Sequence, residues 1–291
     1  MKIGKYKLSI LESGFFGLDG GAMFGIIPKV LWQRTNPADE ANRIKLSTRH
    51  LILESDSSSE LRSAGTSRRI IIDTGMGNKW DEKSKNIYAV DENHSMDSAL
   101  HRIGLSAEVI TDVFLTHLHF DHAGGSTSLT NGKLIPTFPN AQYHVQKKNY
   151  NWGINPSNRD RGSYLKDNFA PLYDAGVLNF TNGDEQFDDE IQFIEINGHT
   201  FGQQMIKISD SSNTVLFCAD LIPTISHIPY PYIMGYDLQP LVTLKEKMKI
   251  LPVAADENWK LFFGHDPDVA YATVKHTEKG IREAERFTEF E

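Results

Sequence analysis

The sequence predicts a layered α/β fold from three observations. Short apolar runs of strand character recur along the chain, helical patterns lie between and after them, and polar residues gather where the runs end. The strand candidates are Lys7 to Leu11, His50 to Glu54, Arg69 to Ile72, Val109 to Leu115, Ala141 to Val145, Ile191 to Ile196, Met205 to Ile208, Thr214 to Ala219 and Leu261 to Phe263. Most are short and run into Gly, Asp or His. Leu241, Leu244, Met248 and Leu251 fall at helical spacing, and a charged amphipathic helix is expected around Ile281, Ala284 and Phe287. The polar stretch from Ser55 to Ser67 reads as a long exposed hairpin connection. The Asn-, Asp-, Arg- and Tyr-rich region Tyr150 to Asp174 reads as irregular or helical surface material above a site. With no linker elsewhere and no internal repeat, one domain spanning 1–291 is expected.

Composition narrows the function. The chain has 291 residues, 40% of them hydrophobic and 23% charged, which suffices for a sizeable core. A net charge of -8, with no basic stripe carrying aromatics, disfavours nucleic acid as a partner. No window approaches the roughly 20 apolar residues of a membrane span. Cys218 is the single cysteine, so no intramolecular disulfide forms, and Met1 to Gly20 lacks a continuous apolar stretch and small-residue cleavage site. A cytoplasmic setting and a small-molecule substrate follow as expectations.

The segment Thr116-His117-Leu118-His119-Phe120-Asp121-His122-Ala123-Gly124-Gly125 carries the chemistry. It follows Val113-Phe114-Leu115, the end of a buried strand, so its imidazoles and carboxylate share one loop that the glycines let turn sharply. Nitrogen and oxygen donors without thiolates suit Zn²⁺, Mn²⁺, Fe²⁺ or Co²⁺. The same context recurs: His199 follows Ile191 to Ile196, Asp220 ends Thr214 to Ala219, His265 follows Leu261 to Phe263, and Asp73 ends Ile70 to Ile72. His50, His94, His101, His144 and His276 lack that context and read as surface or satisfied core residues; His227 stays open. Cys218 reads as a small core residue.

With these residues the chain resembles the metallo-β-lactamase-fold hydrolases from about Lys7 to about His276. The His-x-His-x-Asp-His signature is His117, His119, Asp121 and His122, followed by His199, Asp220 and His265. The resemblance implies a four-layer αββα sandwich with two metal ions at the joint edge of its sheets. It implies that His117, His119 and His199 hold one ion, that Asp121, His122 and His265 hold the other, and that Asp220 bridges both. Asp73 becomes a carboxylate beside the ligands. Zn²⁺ is implied first, with Mn²⁺, Co²⁺ or Fe²⁺ fitting the same donors. His119 stands where redox di-iron relatives carry a glutamate, which disfavours an oxygen- or nitric-oxide-reducing role.

Such a centre is hydrolytic, because coordination lowers the pKa of water to about 7 and supplies a nucleophile without serine or cysteine. Asp121 is the candidate to carry the proton to the leaving group. The segment Asp19 to Trp32 resembles the N-terminal region of quorum-quenching lactonases and of related arylester and organophosphate hydrolases. Its apolar residues, Met23, Phe24 and Ile26 among them, cover a substrate's acyl chain, a dimer partner or the core. A second aromatic group, Tyr230, Tyr232 and Tyr236 with His227 nearby, follows Asp220 and is expected to overhang the metals. Acyl-homoserine lactonases carry a tyrosine soon after the bridging aspartate, whereas here Leu221-Ile222-Pro223 offers none. The expectation is a dinuclear zinc lactonase acting on N-acyl homoserine lactones, with a homodimer through the N-terminal loop. The alternatives are an aryl esterase or phosphotriesterase and, from another class, a metal-dependent binding protein. Glutathione thioesters fit less well, for want of a basic cluster near the chain's end.

Overall fold

The computed structural model describes residues 1–55 and 67–290, and its strands form two seven-stranded sheets and a small hairpin. The first sheet runs Lys2–Ile3, Tyr6–Asp19, Arg43–Ser55, Arg69–Ile72, Asp112–Phe114, Gln142–Gln146 and Leu178–Thr181. It is antiparallel as far as Arg69–Ile72 and parallel beyond. The second runs Glu185–Gln186, Ile191–Ile196, Gln203–Ser209, Thr214–Phe217, Lys260–Phe262, Tyr271–Thr277 and Gly280–Phe287. Its one parallel pair, Thr214–Phe217 with Lys260–Phe262, is joined through the helix Pro240–Asp256, as a parallel crossover requires.

Side-chain alternation builds the layers. Leu51, Leu53, Ile70, Ile72 and Phe114 point between the sheets and meet Phe193, Ile206, Val215, Phe217 and Phe262. The intervening Ile52, Ile71, Val113 and Leu115 turn outward onto Ala99 and Leu100 of the helix Met96–Arg102 and onto Phe169 and Leu172. On the far side, Met205, Leu216, Leu261 and Phe263 pack against Ile250, Leu251 and Ala254 of Pro240–Asp256. Helix, sheet, sheet and helix give the four-layer αββα sandwich. Central strands are covered on both faces, so they read as continuous apolar runs.

Several expected elements differ. The run Val109 to Leu115 is strand only at Asp112–Phe114, after a 3-10 turn at Ala107–Val109, and Thr214 to Ala219 ends as strand at Phe217. The region around Ile281, Ala284 and Phe287 is a strand, not a helix. Gly280 (φ 86) follows the two-residue turn Glu278-Lys279, and Gly280–Phe287 pairs back on Tyr271–Thr277. That pairing is non-local and overrides the local spacing. Pro240–Asp256 is helical as expected, but Leu241 and Met248 are 73% and 55% exposed, while Thr243, Lys247, Ile250, Leu251 and Ala254 face inward. The connection expected between Ser55 and Ser67 lies outside the described residues. Among the described residues no helix is long and apolar enough to cross a membrane.

Candidate metal centre

Strands from both sheets end at one edge and deliver their next residues into a common space. Asp112–Phe114 leads to the loop Thr116 to Gly125, Ile191–Ile196 to His199, Thr214–Phe217 to Asp220 and Lys260–Phe262 to His265. His119 Nδ1 lies 3.0 Å from His117 Nε2 and 3.1 Å from His199 Nε2. His122 Nε2 lies 3.0 Å from His265 Nε2, with Asp121 Oδ2 at 3.9 and 3.7 Å from the same two nitrogens. Asp220 stands between the groups, Oδ1 at 3.2 Å from His122 Nε2 and Oδ2 at 3.3 Å from His199 Nε2. Three overlapping sets, His117-His119-His199, His117-His122-Asp220 and Asp121-His122-His265, each place their donor atoms within 4.8 Å of one another.

The donor chemistry fits a pair of cations. Each imidazole except His119 has its Nδ1 occupied on the outside: His122 donates to Asp73 Oδ2 (2.8 Å), His199 to Asp237 Oδ1 (2.9 Å), His265 to the Ser47 carbonyl (2.9 Å) and His117 to Thr116 Oγ1 (3.0 Å). A proton on Nδ1 leaves Nε2 with an inward lone pair, so nitrogens about 3 Å apart would repel without a positive charge between them. Asp220 Oδ1 is buried without a hydrogen bond. Burial opposes its charge, yet His122, His199 and His265 hold the carboxyl well below the usual carboxylate range. Burial likewise opposes a charge on His122, but Asp220, Asp121 and Asp73 raise its pKa well above the ordinary imidazole value. Burial and the neighbouring His122 push His117 down. The carboxylates thus call for positive charge, which protons on His122 and His199 supply when no metal is bound and which two divalent ions would supply in their place.

The backbone around the edge is tightly constrained. Asp73 (φ 59), directly after its strand, and Ala219 (φ 46), two residues after its own, take left-handed conformations, a cost of about 1–3 kcal/mol each that the surrounding contacts must hold. Asp73 also accepts from the Thr116 N–H (2.8 Å) and hydroxyl (2.9 Å), so one carboxylate aligns both the loop and His122. Gly124 takes an ordinary helical φ of -57°; it is glycine because a Cβ would strike the carbonyls of Met76 and Phe120, and at Gly125 that of Thr74. The expectation of a sharp turn there gives way to close packing. Asn149 Oδ1 accepts from Leu118 N–H while its Nδ2 donates to the Phe201 carbonyl, tying the first ligand loop to the His199 loop.

The donors open into a cavity of about 530 Å³ whose lining includes His119, Asp121, His199, Asp220 and His265. Over residues 57–265, more than half of its length, the sequence matches the family described as "Metallo-beta-lactamase superfamily". The chain belongs to this superfamily. Its similar proteins include the N-acyl homoserine lactonase AiiA of Bacillus thuringiensis subsp. kurstaki, 24% identical over 220 residues that cover 74% of this chain and 79% of the relative. Another is the N-acyl homoserine lactonase AttM of Rhizobium radiobacter, 26% identical over 191 residues, 64% of this chain and 69% of the relative. A probable metal-dependent hydrolase from Staphylococcus aureus superposes with a TM-score of 0.87 at 28% identity, covering 99% of this chain and 98% of that one. AidC, a dizinc quorum-quenching lactonase, gives 0.77 at 23% identity, covering 99% and 97%, and bears on the fold alone.

On the substrate side of this superfamily member, the cavity brings together only some of the expected wall. Met23 and Tyr236 line it. Phe24 does not: it is fully buried, stacked between Trp32 (5.3 Å between ring centroids) and His227 (4.8 Å). His227 is buried too, bonded at 2.8 Å to both Thr224 Oγ1 and the Met23 carbonyl, with burial lowering its pKa to about 4. It supports the wall from behind. Ile26 is 90% exposed and off the lining, Tyr232 meets Phe24 edge-on at 6.1 Å, and Tyr230 packs against the core under Pro240–Asp256. Trp32 is buried within its own chain, so the exposed apolar residues of the N-terminal loop are Ile26, Val30 and Leu31.

Leu18 and Tyr88 line the cavity from outside the expected stretches, whereas Ala22 and Met234 fall within the two apolar stretches, and Arg159 and Ser163 within the region Tyr150 to Asp174 expected above a site, though none is itself an expected site residue. None follows a strand in a Gly or Asp context, so no local signal marks them. Asp237, which orients His199, and Glu246, whose carboxylate accepts from the N–H groups of Asn197 (2.7 Å) and Gly198 (3.1 Å), are equally silent in the sequence. So is Lys247, a fully buried lysine donating to the carbonyls of His227, Pro229 and Tyr232 at 2.6, 2.8 and 3.0 Å. Burial pushes its pKa down to about 7, and the three acceptors cradle the ammonium against that penalty.

Proposed function

We propose that this superfamily hydrolase is a dinuclear zinc lactonase, a single domain over 1–291, that opens the ester ring of N-acyl homoserine lactones in the cytoplasm. The observation that carries the reading is a full donor set, His117, His119, Asp121, His122, His199, Asp220 and His265, at the floor of a cavity with an apolar wall. The lactonase names of its curated relatives support the same substrate class.

When bound, the two ions supply a nucleophile at neutral pH and polarise the scissile carbonyl. The chain's own groups do the rest. Asp121, whose carboxylate faces the cavity, is placed to pass a proton to the departing alkoxide oxygen. Leu18, Met23 and Met234 offer apolar surface for an acyl arm. The phenol missing after Asp220 is replaced in this reading by Tyr236. Its pKa is pushed up by burial and by the carboxylates of Asp19 and Asp121, so it stays protonated and can donate to the ester. A homodimer would bury Ile26, Val30 and Leu31; light scattering on Ile26→Asp, with wild type dimeric and the variant monomeric, checks this, and two dimers would refute it.

The aryl esterase or phosphotriesterase reading draws on one observation, the absence of a tyrosine in Leu221-Ile222-Pro223. A panel of acyl homoserine lactones, aryl esters and phosphotriesters, followed by proton release on metal-loaded protein, separates the two. We expect the lactones to have the highest kcat/KM; much faster turnover of another class would sink the lactonase assignment and leave the metal centre intact.

A further inference from the structure

We propose that Arg159 forms a carboxylate-binding subsite at the mouth of the cavity, so that the preferred substrate carries a carboxylate on the arm remote from its scissile ester. This rests on the hydrolase reading above and narrows its substrate class.

Arg159 lies between the helix Lys147–Ile154 and Tyr164 and lines the same cavity as His119, Asp121 and Tyr236. Among the described residues of that lining it is the one lysine or arginine. One terminal nitrogen donates to the Gly235 carbonyl at 2.5 Å, which fixes the guanidinium against the wall that carries Met234 and Tyr236. A guanidinium has five N–H groups, so most of its donors remain for a ligand.

The neighbouring carboxylate does not neutralise it. Asp160 lines the same cavity, but it is buried and both its oxygens are occupied, Oδ2 accepting from Trp152 Nε1 at 2.7 Å and Oδ1 from Ser157 Oγ at 2.7 Å. Among the described residues Arg159 makes no ion pair, in a chain whose net charge of -8 offers many acidic partners. The guanidinium fork matches a carboxylate with two parallel bonds, an arrangement that an ammonium cannot reproduce. Ser163 lines the same cavity. A plain alkyl arm would satisfy Leu18, Met23 and Met234 but leave this cation unused; an arm ending in a carboxylate uses both.

The test compares an alkanoyl homoserine lactone with its ω-carboxyalkanoyl counterpart of equal length on metal-loaded enzyme, in wild type, Arg159→Met and Arg159→Lys. We expect wild type to prefer the carboxylated lactone by about tenfold or more in kcat/KM, mostly through KM, as one charge-assisted contact allows. That preference should vanish in Arg159→Met, persist weakly in Arg159→Lys and shrink with added salt. No preference in wild type would overturn the proposal. So would equal losses for both lactones in Arg159→Met, which would make Arg159 a strut for the Gly235 loop. If neither lactone turns over but aryl esters do, the lactonase reading fails by itself. The same ratio measured with carboxylated and uncharged aryl esters then decides the subsite.

Discussion

At the metal edge, each donor stands within a few residues of a strand end and nearly every imidazole is held a second time from outside, by Asp73, Asp237, Thr116 or the Ser47 carbonyl. The opposite wall is assembled from three separated segments, around Leu18 to Met23, Arg159 to Ser163 and Met234 to Tyr236. Leu18, Met23, Met234 and Tyr236 of those segments line the cavity and at the same time pack into the cluster around Phe24 and Trp32. The edge therefore has ligands placed by their own strand ends and braced by distant residues, while the wall is positioned by a few tertiary props alone, Lys247 and His227 chief among them. Reaction chemistry and substrate choice are thus separable: damage to the edge should stop turnover, and damage to the wall should alter which substrate is used.

The separation breaks most visibly at Asp220. Asp220→Ala should lose metal and lower kcat/KM by roughly a thousandfold or more, since its two oxygens face both donor groups. Elemental analysis together with kinetics checks it; full metal content would show that the two groups are independent. Asp237→Asn keeps the shape but removes the carboxylate that holds the His199 proton, and a loss of about 10–100-fold in metal affinity or activity is expected. On the wall, Lys247→Met should cost about 3 kcal/mol in chemical denaturation by stranding three carbonyls. It should raise KM with metal content unchanged, and loss of metal would contradict the separation.

The smallest effect concerns His50, which is buried, bonds Ser13 Oγ at 2.7 Å and the Ile72 carbonyl at 3.2 Å, and is lowered to about 3 mainly by burial. Its native pKa lies below the unfolded value near 6.5, so the unfolded chain binds the extra proton. Its stabilising contribution is present above that value and is lost as the pH falls from about 6.5 toward 3. Denaturation of chelator-treated His50→Gln should show a shallower loss of stability over that window than wild type; equal slopes would show that His50 does not carry the acid sensitivity.

This contrast explains what was legible in the sequence. Ligand positions are written locally, as His or Asp after an apolar run and a Gly or Asp turn, so the loop at His117 to His122 and the later His199, Asp220 and His265 stand out unaided. Asp237 and Asn149 reach the centre from distant segments, and nothing in their neighbours marks them. Ile281, Ala284 and Phe287 mimic a helix because the chain's reversal at Glu278-Lys279 decides the structure through a partner strand. In the same way, Phe24 and Ile26 are close in sequence and alike in chemistry, yet one is buried under Trp32 and the other is exposed, a difference that only packing creates.

The central claim is that the chain's seven donors hold two metal ions that together support hydrolysis. Its most direct test is titration of chelator-stripped protein with Zn²⁺, reading bound metal and lactone turnover on the same samples. Saturation is expected at two ions per chain, with most of the activity appearing only as the second is bound. Full activity at one ion, or saturation at one, would contradict it.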